Sequence, residues 1–108
     1  MQTILMMAEV GGYCFWLCDS KEDYWKHTAL PTEDLPLSFE LNNQLTEWEE
    51  FYEEYFDNTT LLSLAKRPVA KDNFDVVGKQ LWQLVKEELK DNYKVIYYSE
   101  VEQKVLDD

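Results

Sequence analysis

Histidine and cysteine are the scarcest chemistry in this chain: it holds one histidine, His27, and two cysteines, Cys14 and Cys18. The cysteines do not form a CxxC pair, and no second Cys/His pair exists to complete a zinc site. Four residues apart on a strand, they share a face but lie too far apart to bridge. Both are expected to be buried free thiols, as suits a reducing cytosol. Glycine and proline are also few, three of each. No phosphate-cradling loop, nucleophile elbow, HExxH or P-loop is present. His27 stands among Tyr24, Trp25 and Lys26, where a surface or hydrogen-bonding role is favoured over general-base work. No apolar run approaches the roughly eighteen residues of a membrane span. The opening MQTILMMAEV has neither a positive n-region nor a small-residue cleavage site, so a cytoplasmic protein is expected.

Positive charge is the other shortage. Ten Lys and Arg stand against 22 Asp and Glu, a net charge of −12. Such a chain repels nucleic acid and anionic membranes, and it attracts basic proteins quickly at low salt. Basic surfaces interleaved with aromatics, of the kind that grip nucleic acid, are absent. A DNA mimic would carry the same balance, so charge alone does not choose between that and a basic protein partner. The 45% hydrophobic and 15% aromatic content argues against disorder. A length of 108 residues suffices for a core without disulfides or metals, so a single domain over 1–108 is expected.

What is abundant is acid, and it is concentrated. In LPLSFELNNQLTEWEEFYEEYFDN, residues 35–58, six acids (Glu47, Glu49, Glu50, Glu53, Glu54 and Asp57) fall within eleven residues. Counted from Leu37, residues Leu41, Leu45, Trp48, Tyr52 and Tyr55 recur every three or four positions, the period of one helical face. Ser38 is a suitable N-cap and Pro36 lies outside the helix. The spacing therefore predicts a helix of about twenty residues with an aromatic inner face and an acidic outer face. Glu47, Glu50, Glu54 and Asp57 line one side, Glu49 and Glu53 widen the stripe, and no Lys or Arg occurs between residues 40 and 57. Like charges at i,i+4 each cost about 0.2–0.5 kcal/mol. The late acids also oppose the helix dipole. Either the stripe is simply solvated, or a basic partner neutralises it; the second alternative makes these six acids the candidate partner-binding residues. Carboxylates that radiate from a helix do not converge as a calcium site requires, so no metal is expected there. No cofactor and no catalysis are implied.

Elsewhere, TILMMAE (3–9) and YCFWLCD (13–19) read as strands around Gly11-Gly12, as a hairpin or as one longer strand with a bulge. The second strand is apolar on both faces, so it is covered on both sides or one face is an interaction surface. Residues 19–35 read as a polar loop with Tyr24 and Trp25 anchoring it, with room for a short turn or strand around Tyr24–His27. Lys66, Arg67 and Lys71 form a basic loop in which Pro68 forbids a continuous helix. That loop is placed to fold back on the acidic helix. Residues 73–91 predict a second helix, capped by Asn73 or Asp72, favoured by Asp75 in its first turn, and closed by Asn92 in a left-handed cap. Phe74, Val77, Leu81, Leu84, Val85 and Leu89 are its expected buried face, and Gly78 is expected to allow close packing. YKVIYYSE (93–100) is the best strand signal, and the tail either continues it or frays. The fold class is thus α+β: a small antiparallel or mixed sheet of about three or more strands with two main helices packed on it.

Several of these segments resemble one family. They are Phe15-Trp16-Leu17, the DLPLS of Asp34 to Ser38 opening a helix with Leu41, Leu45 and Trp48, and GKQLWQLVKEEL followed by YKVIYY. Over roughly residues 13–98 this pattern resembles the small acidic immunity proteins of bacterial polymorphic toxin systems, including contact-dependent growth inhibition. The resemblance implies a cytosolic, non-enzymatic protein that binds a cognate toxin domain, many of which are basic nucleases. It transfers no binding residue. The alternatives are an acidic adaptor or DNA mimic that binds a basic host protein, or, with less support, a small enzyme.

Overall fold

The structure is a computed structural model that describes residues 2–8, 13–20, 27–52 and 61–107, with the backbone alone described for His27 and for 61–71. In chain order its elements are β1 (Gln2–Met6), β2 (Phe15–Cys18), β3 (His27–Ala29), a 3-10 turn (Thr32–Asp34), α1 (Phe39–Tyr52), α2 (Leu61–Leu89), β4 (Tyr93–Ser99) and β5 (Lys104–Leu106). The five strands form one mixed sheet in the order β3-β2-β1-β4-β5. The expected α+β class is the one observed.

The connections explain the mixture. β1 and β2 pair antiparallel, Met6 opposite Phe15 and Thr3 opposite Cys18, so they are two strands of a hairpin and not one bulged strand. β3 adds antiparallel to β2 and brings His27 opposite Cys18, a short strand that starts where the one expected near Tyr24–His27 would end. β4 then lies parallel to β1, with Ile4 opposite Val95. A parallel neighbour needs a long crossover, and α1 and α2 together supply it. β5 turns back antiparallel on β4. The tail therefore neither extends β4 nor frays. Gln103 takes a positive φ of 55° in that turn, and its N–H donates to the Ser99 carbonyl at 2.8 Å.

Alternation along the strands separates two apolar layers. Ile4, Met6, Phe15, Val95 and Tyr97 face Leu41, Leu45 and Trp48 of α1 and Phe74, Leu81, Trp82, Val85 and Leu89 of α2. On the other face Leu5, Met7, Ile96 and Val105 cluster with the partly buried Trp16, Cys18 and Tyr98. β2 thus contributes apolar side chains to both layers, as its sequence implied. Cys14 and Cys18 are both free thiols. They do not share a face, because β2 begins only at Phe15: Cys14 is buried with the helix-side layer and Cys18 is half-buried on the other.

Ser38 caps α1 as expected. Its Oγ accepts the Leu41 N–H at 3.3 Å, and it donates in turn to Glu88 Oε2 at 2.9 Å. The Ser38 N–H donates to the other Glu88 oxygen at 2.7 Å. One carboxylate near the end of α2 therefore caps the start of α1, where the helix dipole favours negative charge, and ties the two helices together.

α2 corrects three expectations. It starts at Leu61, not at residue 73, so Asn73 and Asp72 are not caps and the stretch holding Lys66, Arg67 and Lys71 is helical backbone, not a loop. Pro68 inside a helix forfeits one hydrogen bond and costs about 3 kcal/mol. The leucines, alanines and basic residues around it are strong helix formers, and the helix continues through it. At the other end Asn92 does not adopt a left-handed conformation; its N–H donates to the Leu89 carbonyl at 3.0 Å in a tight final turn. Finally, the buried arc is shifted. Trp82 belongs to it, whereas Val77 and Leu84 remain 43% and 49% exposed on its flank.

A buried polar pin fixes α2 on the sheet. Asp75 is not a first-turn residue but lies within the helix at 3% exposure. It accepts from Tyr97 Oη at 2.9 Å and Ser99 Oγ at 3.1 Å, and Lys79 Nζ lies 3.2 Å away. Burial, then the Asp75 charge and hydrogen bond, push the Tyr97 phenol well above its usual range. Gly78 makes this approach possible, since a Cβ there would stand 2.3 Å from Tyr97 Oη and 2.9 Å from the Trp48 ring. The expected close packing is thus against sheet and helix at once.

Candidate functional site

The candidate site was expected on α1, where six acids were singled out. Of these, Glu47, Glu49 and Glu50 are described; Glu53, Glu54 and Asp57 lie outside the described residues, as do Tyr24, Trp25, Tyr55, Phe56 and Gly11-Gly12. The inner face is as expected over Leu41, Leu45 and Trp48, which are buried, with Tyr52 half-buried.

The three described acids do not stand together. Glu47 and Glu50 are exposed on the outer side. Glu49 is half-buried and turned toward the start of β2. Two positions along a helix amount to a rotation of about 200°, so Glu47 and Glu49 must face nearly opposite ways. Glu49 sits beside the buried Cys14. Burial pushes the Cys14 thiol well up, the Glu49 charge and hydrogen bond add to this, and a hydrogen bond with Thr32 opposes it. The raised thiol is consistent with an inert, structural cysteine.

Glu47 borders a different feature. An apolar groove of about 510 Å³ runs between α1 and α2. Its floor is Trp48 stacked on Phe74, with centroids 4.3 Å apart and planes within 1°. Trp48 Nε1 donates to the Phe74 carbonyl at 3.0 Å, which fixes the indole in place. Phe51 extends the stack at 6.2 Å from Phe74. Val77 and Leu84 form the far wall, and Gln44, Gln80 and Asn73 form the polar edge. Among the described lining residues Glu47 alone carries charge.

The described lysines of α2 are engaged elsewhere. Lys79 pairs with Glu102 at 2.9 Å and with Asp75. The hydrogen bonds to Glu102, then Asp75, hold its ammonium above the usual value. Lys86 lies 4.1 Å over the Trp82 ring, and Lys90 pairs with Glu87 at 3.0 Å. No described cation relieves Glu47 or Glu50.

Sequence reasoning missed the groove because it assigned Val77 and Leu84 to the core. A signal was available: α2 carries more apolar positions than one face can bury, with Val76, Val77 and Leu84 in addition to Phe74, Leu81, Trp82, Val85 and Leu89. Among the described residues no group of three or more His, Cys, Asp or Glu could hold a metal ion, and no helix is long and apolar enough to cross a membrane. Asp75 has its carboxylate occupied by Tyr97, Ser99 and Lys79, so it acts as a structural pin.

The chain was also compared with known proteins. A profile of the family described as Serratia CdiI immunity protein-like matches residues 2–100, a span from β1 through β4 that includes both helices. No curated protein matches the chain.

Proposed function

The chain belongs to the Serratia CdiI immunity protein-like family, and from that membership we propose that it neutralises a cognate contact-dependent growth inhibition toxin by docking a basic toxin domain on the outer side of α1. The observation that carries the surface is the exposure of Glu47 and Glu50 on a helix segment with no Lys or Arg from residue 40 to 57. Glu53, Glu54 and Asp57 continue the same acidic sequence, whereas Glu49 turns toward Cys14 and takes no part in the docking. A net charge of −12 accelerates encounter with a positively charged domain, and the effect fades as salt screens it. The favoured partner is the C-terminal domain of the toxin, of a basic, nuclease type. The protein works as a single domain in the cytoplasm, where such a toxin would act. It binds and blocks, with no catalysis, cofactor or metal of its own, and it engages neither nucleic acid nor membrane.

The test is co-expression. The C-terminal domain encoded by the toxin gene immediately upstream is expressed with and without this chain, and growth and a stoichiometric pull-down are scored. Rescue with a one-to-one complex is the expected result. Toxicity that persists without any complex would contradict the proposal.

A further inference from the structure

The geometry points to the α1–α2 groove as the seat for an apolar side chain of the toxin's docking segment, one flanked by a lysine or arginine that pairs with Glu47. This inference rests on the immunity reading and adds to it a specific anchor and the chemistry of the segment that fills it.

Three observations carry it. First, the groove is preformed. The Trp48–Phe74 stack and the Trp48 hydrogen bond hold its floor, and the Glu88–Ser38 bonds fix the helices at their other end. A rigid pocket loses little conformational freedom on binding. Second, Val77 and Leu84 expose apolar surface into it at 43% and 49%. Filling the groove removes that surface from water at about 25 cal/mol per Å². Third, the one charged residue among its described lining, Glu47, also belongs to the exposed acidic side of α1. An apolar centre with a charged rim is the arrangement in which a few buried contacts dominate affinity and the rim sets encounter.

Charge also selects the occupant. A second copy of this chain would bring another Glu47 to the same rim and another net charge of −12 to the interface. Like charges across an interface are unfavourable, whereas a basic segment is complementary. The occupant is therefore an apolar residue within a basic stretch of the toxin domain.

The experiment measures association and dissociation rates of the co-purified toxin C-terminal domain with wild-type protein, Val77→Gln and Leu84→Gln. Both side chains are half-exposed, so the variants fold, which a thermal melt verifies. The expected result is a Kd raised about tenfold or more, carried by faster dissociation with the salt dependence of association unchanged. Wild-type dissociation in both variants would overturn the groove, and if the wild-type complex and growth rescue persist, the immunity reading survives that loss. No complex with the wild-type protein would overturn both. Sedimentation decides the remaining case: a dimer of this chain that Leu84→Gln dissolves would overturn the toxin segment as occupant.

Discussion

α1 separates two hollows of similar size and opposite character. On the side of α2 lies a groove of about 510 Å³, floored by stacked aromatics and bordered, among the described residues, by one acid, Glu47. On the side of β2 lies a hollow of about 420 Å³ lined by Tyr13, Pro31, Thr32, Glu33, Leu45, Thr46 and Glu49. The first has exposed apolar walls and a charge that no described cation relieves, and so offers interactions that a partner can satisfy. In the second, Glu49 and Thr32 already interact with Cys14. Two acids only two positions apart thus have different surroundings. An acid-rich helix is not one surface, and counting its carboxylates overstates what any one partner can meet.

The comparison is broken most severely by removing what the α2-side groove stands on. Trp48→Ala should cost about 3–5 kcal/mol, since it empties a buried site. It also strips the Phe74 carbonyl of its donor and one ring from the stack. Thermal melting should show a large fall in Tm, and an unchanged Tm would place the indole outside the core.

A smaller effect sharpens the other side. The Cys14 thiol has a folded value above its usual 9.0, so the unfolded chain loses that proton first as pH rises. Its contribution to stability is fully present below pH 9.0 and is lost as pH climbs from there through the higher folded value. Tyr97 follows the same sign from its usual 10.0 upward. Urea midpoints taken upward from about pH 8 should fall, beginning near the thiol value. Burial raises the Cys18 thiol as well, so Cys14→Ala should make the earlier part of that decline shallower and leave the part above pH 10. A decline just as steep between about pH 9 and 10 in the variant would mean that the Cys14 thiol is not a source of it.

Much of this fold can be read from the chain, and the places where that fails have physical causes. The inner face of α1 was legible because Leu41, Leu45 and Trp48 sit at helical spacing behind a serine cap. β4 was legible because YKVIYY is β-branched and aromatic throughout. Its parallel pairing with β1 was not, since that register depends on a crossover of both helices and not on local sequence. β5 is only three residues long, too short to show alternation. The first turns of α2 were lost to a rule about Pro68 that a long helix can absorb. In α2 periodicity revealed that a buried arc exists but not where it is centred, so Val77 and Leu84 were assigned inward and Trp82 was left out. The site was legible as an acidic segment. Its division was not, because the stripe was widened to include Glu49, which faces Cys14.

That division is also the central claim about function, and association kinetics test it most directly. Stopped-flow binding of the toxin domain would compare wild-type protein with Glu47→Lys/Glu50→Lys and with Glu49→Gln, at low and moderate salt. The double reversal should slow association about tenfold at low salt and flatten its salt dependence, because the steering charge is reversed. Glu49→Gln should associate at the wild-type rate, because its carboxylate faces Cys14 and not the partner. Wild-type association by the double reversal at low salt would contradict the assignment of the toxin to the outer side of α1.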